Sequence, residues 1–247
     1  MTDPHELHDV LTPVPLPELL PSLWRAYQAV SGLLPTRTAI ELLGAHWALE
    51  TGWGKACHCW NLGNAKSVPG DGRCWTFFAC GEELTQSMAE RYVAADPIRV
   101  QILRLYTLGS TAMASVRFLP DHPGCRFRAF ETLADGACDY VALLHGRYAE
   151  AFRILSTGDA GRFCDALRRR GYFTADPTQY ARGVAGCLPR VRASGVDLDS
   201  IEHPAPDVTQ ESVQPPPIVP IERDLDGEKD ERDQQVAGMY DSTEGGL

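Results

Sequence analysis

The 247-residue chain has no apolar run near the roughly 20 residues that a membrane-spanning helix needs. Its opening, Met1-Thr2-Asp3-Pro4-His5-Glu6-Leu7, lacks a basic stretch followed by an apolar one, so no standard secretory signal is visible. No internal repeat recurs, which excludes a solenoid or propeller. The eight cysteines include no Cys-x-x-Cys knuckle, so a zinc ribbon has little support. His46-Trp47-Ala48-Leu49-Glu50 is not the His-Glu-x-x-His of a metallopeptidase. An excess of base is also missing: 23 Lys and Arg face 33 Asp and Glu, a formal charge of −10, which argues against nucleic acid as the default partner.

The acidity is unevenly placed. Residues 197–247 carry 14 acids against 3 bases, while residues 1–196 are almost balanced. The same 51 residues hold Pro204, Pro206, Pro215, Pro216, Pro217 and Pro220, and Tyr240 is their single aromatic. Such a segment cannot bury enough apolar surface to offset chain entropy. It reads as a disordered acidic tail, either solvated without a specific role or a docking or export segment. Over the whole chain, 44% hydrophobic and 9% aromatic residues are enough for a real core. The expectation is one folded domain over 1–196 and a tail over 197–247.

The folded part reads mainly as helix. Leu19, Leu20, Leu23, Tyr27 and Val30 predict a helix over about 17–32, broken by Gly32 and Pro35. A second helix is predicted to start at Thr38, with Glu41 completing a capping box, and its apolar stripe runs Ile40, Leu43, Trp47. From Lys55 to about Phe130 glycines and prolines punctuate short runs, predicting loops, a few short strands and one or two helices within 82–108. Helices then return: a stripe from Leu133 to Leu155, a helix capped by Asp159 and closed by Gly171, and a last one opened by Asp176-Pro177 and running to about Arg192. The fold class is α+β, mainly α.

Glu50 is the chemical oddity, because it continues the apolar stripe of the second helix and precedes Thr51-Gly52-Trp53-Gly54. A carboxyl drawn out of water beside aromatic rings has its ionised form disfavoured, and a proton kept near neutral pH suits a general acid. The glycines allow a bulky polymer to approach, and Trp53 and Trp60 offer flat surfaces for sugar rings. Against this stands a solvated helix-end glutamate followed by ordinary glycine termination. His46, one turn before Glu50, either tunes the acid or is a packed or solvated residue. The cysteines leave three readings open: disulfides in an oxidising compartment, free thiols, or a metal held with His58 or His122. Cys138 and Cys164 fall on apolar helix faces and read as core.

Ala48-Leu49-Glu50-Thr51-Gly52-Trp53-Gly54 resembles the acid motif of the glucosaminidase family, glycoside hydrolase family 73, whose members include peptidoglycan hydrolases of the lysozyme superfamily. Three further segments resemble that family in the same order: Asn61-Leu62-Gly63-Asn64-Ala65-Lys66; Phe127-Arg128-Ala129-Phe130 with the following Asp139-Tyr140; and Gly171-Tyr172-Phe173-Thr174-Ala175-Asp176-Pro177 ending at Tyr180. They cover about 35–190. The chain departs from the pattern in lacking the phenylalanine of the second segment and in carrying Phe130 for a tyrosine.

The resemblance implies a lysozyme-like domain with a helical lobe and a smaller mixed middle lobe, acting on β-1,4 bonds of peptidoglycan glycan strands as an endo-β-N-acetylglucosaminidase, without cofactor or metal. It implies Glu50 as general acid. Trp53, Asn61, Tyr172 and Tyr180 become the substrate-binding candidates. The family's second carboxylate comes from the middle lobe, where Glu83 or Glu82 is the first candidate, with Asp71 and Asp121 behind. A muramidase, a lytic transglycosylase and a non-catalytic glycan-binding module are the alternatives. The substrate places the expected site of action in the periplasm or cell wall, reached by non-standard export or by phage or particle delivery.

Overall fold

A computed structural model describes residues 5–68, 70, 72–173, 176–198 and 200–201. Asp71 and nearly all of the expected acidic tail lie outside the described residues. The fold is α+β and mainly α, as the sequence predicts. No helix among the described residues is long and apolar enough to cross a membrane.

Helix α1 (Leu16–Ser31) closes on Gly32 in the left-handed conformation, within a residue of its predicted bounds. Helix α2 (Arg37–Glu50) is the axis of the helical lobe, buried along most of its length. Its cap is Thr36 rather than Thr38: the Thr36 hydroxyl accepts from the Ala39 amide at 3.1 Å. Glu41 therefore completes no capping box. It is buried, and the Arg192 Nε donates to it at 3.0 Å. Gly44 lets α1 approach α2 closely, since a Cβ there would lie 2.7 Å from the Leu20 side chain.

The middle region holds two small antiparallel sheets. Strand β1 (Trp75–Phe77) pairs with β5 (Arg126–Arg128). The second sheet has the order β2-β4-β3, from β2 (Cys80–Thr85), β3 (Val100–Leu108) and β4 (Thr111–Phe118). Helix α3 (Gln86–Ala95) packs on it over Phe78, Leu84, Val100, Val116 and Phe118. The predicted second helix within 82–108 is thus a strand. Ile98, Ile102, Leu105 and Leu108 mimic a helical stripe, but a tight turn at Gly109 returns the chain as β4, and the ladder decides.

The apolar stripe from Leu133 to Leu155 divides into α4 (Leu133–Gly146) and α5 (Ala149–Ile154), because Arg147 and Tyr148 turn the chain. Helices α6 (Ala160–Arg169) and α7 (Pro177–Arg192) follow with the predicted caps: Asp159 accepts from the Arg162 amide, Asp176 from that of Gln179, and Pro177 occupies the first helical position. Around α2 these helices enclose one apolar core. A strap at residues 5–14 crosses the segment after α2, with the Cys59 amide donating to the Val10 carbonyl and the Thr12 amide to that of Cys57, each at 2.8 Å.

Helix α4 meets that same segment at Gly136, where a Cβ would lie 2.0 Å from the Trp60 carbonyl oxygen. Backbone cannot yield cheaply in a packed interior. Gly136→Ala is expected to lower the melting temperature by about 5 °C or more. Calorimetry checks this, and an unchanged melting temperature refutes the close approach.

Candidate active site

The site is built where α2 runs out. The last turn of a helix leaves carbonyls without partners. Here three of them find partners: the Thr51 hydroxyl donates to Trp47 O at 2.8 Å, the Trp53 amide to Ala48 O at 2.9 Å, and the Asn64 side-chain amide to Glu50 O at 2.8 Å. The Gly54 amide donates in turn to the Thr51 hydroxyl. In this segment Trp53, Cys59, Trp60 and Asn64 all take positive φ, a rare conformation for residues other than glycine. Such strain gathers at functional sites.

Glu50 is 8% exposed. The Tyr180 hydroxyl, from α7, donates to its Oε1. His46 lies one turn back on α2, wholly buried, with Nε2 at 2.8 Å from the Tyr180 hydroxyl and Nδ1 at 2.5 Å from the Tyr140 hydroxyl of α4. The rings of Phe163, Tyr172 and Tyr140 surround the imidazole. Burial pushes the Glu50 carboxyl up to about 7, opposed in part by the Tyr180 bond. Burial also holds the His46 imidazole down to about 3, so it is neutral at ordinary pH. The hydroxyls of Tyr140, Tyr172 and Tyr180 are pushed well above their usual range by burial and by the nearby Glu50. The arrangement is an acid that retains its proton near neutrality, with an uncharged donor beside the anion it becomes.

Of the candidates read from sequence, Glu50 and Tyr180 meet directly. Trp53 lies nearby with its ring under the Arg190 guanidinium at 4.0 Å, so one face is covered. Asn61 lies in the interior. It is 1% exposed, its amide donates to the Ala65 and Arg128 carbonyls, and its oxygen accepts from the Ala65 amide. It staples the loop and has no donor left for substrate. Tyr172 is likewise interior, 2% exposed and packed between His46 and Tyr148.

Strand alternation sends Glu82 and Glu83 to opposite faces of β2. Glu82 is buried beside Lys66, with Nζ at 3.6 Å, while Glu83 accepts from the Tyr106 hydroxyl at 2.7 Å. Asp121 is exposed. Two participants were not read as site residues. Asn64 holds the Glu50 carbonyl, and its own Oδ1 is buried without a hydrogen-bond partner; the signal was an asparagine, which tolerates the left-handed conformation, between two glycine-rich turns. Tyr140 looked like one more apolar position of its stripe. All eight cysteines are thiols, Cys80 and Cys125 having their sulfurs 3.7 Å apart, and no group of three or more metal-ligating side chains occurs among the described residues.

No protein-family model matches the chain, and no curated protein matches it in sequence. Among solved structures, a peptidoglycan hydrolase from Sphingomonas sp. A1 is similar over 75% of this chain and 99% of that one, at 20% identity and a TM-score of 0.40.

Burial of Glu50 also affects stability. Below the usual carboxyl value of 4.5 the group is protonated whether the chain is folded or not. As pH rises from there to about 7, the unfolded chain ionises first, and stability falls. Glutamine cannot ionise, so Glu50→Gln is expected to raise the melting temperature by about 5 °C at pH 8 and to leave it nearly unchanged at pH 4.5. Equal melting temperatures at both pH values would refute a neutral Glu50 in the folded protein.

Proposed function

We propose that this protein hydrolyses β-1,4 glycosidic bonds of peptidoglycan glycan strands, as an endo-β-N-acetylglucosaminidase with Glu50 as general acid. The observation that carries this reading is the buried carboxyl, raised to about 7 and bonded by a neutral tyrosine. A general acid must hold its proton at working pH and release it as the leaving oxygen gains charge. When Glu50 gives its proton to that oxygen, the Tyr180 hydroxyl already points at the carboxylate left behind. The substrate class is supported by the four ordered segments of glucosaminidase character, which contribute Glu50, Asn64, Tyr140 and Tyr180 to one cluster in space.

Glycoside hydrolysis also needs a base, a nucleophile or a group that steadies an oxocarbenium-like centre. Glu83 is the residue proposed for this role, because it is half-buried rather than interior and Tyr106 orients it. Glu82 fits less well, being spoken for by Lys66. One observation favours a second reading. The groups around Glu50, namely His46, Tyr140, Cys164, Tyr172 and Tyr180, include no second carboxylate among the described residues. Chemistry using one acid, as in a lytic transglycosylase or with help from the substrate's acetamido group, matches that composition.

Glu50→Gln on purified sacculi is expected to lose activity by about 100-fold or more. Wild-type cleavage should fall as pH rises through about 7, when the acid loses its proton. Undiminished cleavage by Glu50→Gln overturns the assignment. Mass spectrometry of the products separates the two readings, since an anhydro-sugar end marks the transglycosylase. Glu83→Gln is expected to lower kcat by about tenfold or more for hydrolysis, and no change removes Glu83 from the mechanism.

A further inference from the structure

Tyr180 has one proton, and it can go to Glu50 or to His46 but not to both. Its oxygen lies within hydrogen-bond reach of Glu50 Oε1 on one side and of His46 Nε2, at 2.8 Å, on the other. Which way the proton points depends on the imidazole. A neutral imidazole has one donor nitrogen and one acceptor nitrogen, and its partners choose between them. The other nitrogen, Nδ1, faces the Tyr140 hydroxyl at 2.5 Å.

Two arrangements satisfy the row. In one, Tyr140 donates to Nδ1, Nε2–H donates to Tyr180, and Tyr180 donates to Glu50. In the other every bond is reversed, and Tyr140 must send its proton elsewhere. The alternative acceptor is the Leu43 carbonyl, at 3.5 Å, at the limit of a hydrogen bond. That carbonyl also lies within α2, where the ladder supplies it with the Trp47 amide. Both arrangements keep the close contact at Nδ1, and the second alone depends on this weak bond to place its last proton. The first ends in a hydroxyl aimed at the carboxyl, the stronger kind of bond once the carboxyl is ionised.

We propose that His46 is a positioning residue, a neutral Nε2–H tautomer that fixes the direction of the Tyr140–His46–Tyr180 row so that Tyr180 always donates to Glu50 Oε1. Oε1, the oxygen that Tyr180 and His46 approach, is then an acceptor whether or not the carboxyl is protonated, and the acidic proton is confined to Oε2. The row carries no net charge, because burial holds the imidazole neutral. The other titratable groups facing Glu50 among the described residues, Cys164 from α6 and Tyr172 from the turn after it, are also held neutral by burial, so neither competes with the row for control of the acid. The activity arm of the test rests on the reading of Glu50 as general acid; the tautomer does not.

The full chain, labelled with 15N-histidine, is observed by NMR from about pH 5 to 8. His46 is expected to show a pyrrole-type Nε2 and a pyridine-type Nδ1 throughout, without titrating. An Nδ1–H tautomer, a tautomer that switches as Glu50 ionises, or an imidazolium overturns the proposal, whatever the protein cleaves. On sacculi, His46→Phe keeps an aromatic ring in the cage but removes both bonds, whereas His46→Gln keeps a donor and an acceptor about as far apart as the two ring nitrogens. His46→Phe is expected to lose about tenfold in kcat with KM unchanged, and its loss of activity at high pH should move to higher pH, while His46→Gln keeps most of the rate. A residue that merely packs predicts the reverse order, and that order would overturn the proposal. If His46→Phe does not fold, the NMR result on the unaltered chain decides.

Discussion

A carboxyl group taken out of water must be answered either by a positive charge or by neutral donors, and helix α2 contains both answers. Glu41 and Glu50 lie on the same helix and are equally buried. Glu41 takes the guanidinium of Arg192, and the pair ties α2 to α7. Glu50 receives a tyrosine hydroxyl and a neutral imidazole at one remove. A cation at that position would favour the carboxylate and empty the acid of its proton near neutrality. Tyrosine gives the anion a hydrogen bond without holding it permanently ionised. The helical lobe follows from this choice, because the partners of Glu50 and His46 arrive from α4, from the turn after α6 and from α7, which must all converge on one end of α2.

The segment that follows α2 carries the backbone cost of that convergence. Trp53, Cys59, Trp60 and Asn64 adopt a conformation that side chains other than glycine disfavour by about 1 kcal/mol or more each. Hydrogen bonds from outside the segment hold them there. The strap gives the Thr12 hydroxyl as acceptor to the Trp60 amide at 2.8 Å and the Val10 carbonyl to that of Cys59. Asn61 closes the loop on itself and on β5. Residues that look expendable from the site, such as Thr12 and Asn61, thereby fix the position of Asn64 and the end of α2.

Local signals in the sequence carried much of this. Thr36 and Thr38 are both competent caps for α2, and Thr36 is the one whose hydroxyl accepts from the first turn. Asp159 and Asp176-Pro177 were legible because their partners are the next few residues. Glu50 was legible because a charged residue interrupts an apolar stripe. The hairpin was not: Ile102, Leu105 and Leu108 satisfy a helical period as well as an exposed, bulged strand, and the ladder partner that decides lies beyond the turn. Nor was the row behind the acid. Tyr140 and Tyr180 lie 94 and 134 residues from His46, and a tyrosine on an apolar stripe carries no mark of whether its hydroxyl is used.

The six residues from Asn61 to Lys66 join the two halves of the molecule. At one end Asn64 holds the last carbonyl of α2, and at the other Lys66 lies between the Phe127 ring, the Gly124 carbonyl and the Glu82 carboxylate. Lys66 offsets the charge that strand alternation sends inward at Glu82, opposite Val116 in the ladder. Without a cation there, a carboxylate facing the apolar layer of Phe78, Leu84 and Val116 would oppose formation of the sheet. With it, β2 can present Glu83 on the other face, opposite Ser115 and within reach of Tyr106. A short and internally bonded loop thus touches the support of Glu50 at one end and that of β2, which carries Glu83, at the other. Changes in that loop bear on the geometry between the two carboxyls even where they touch neither.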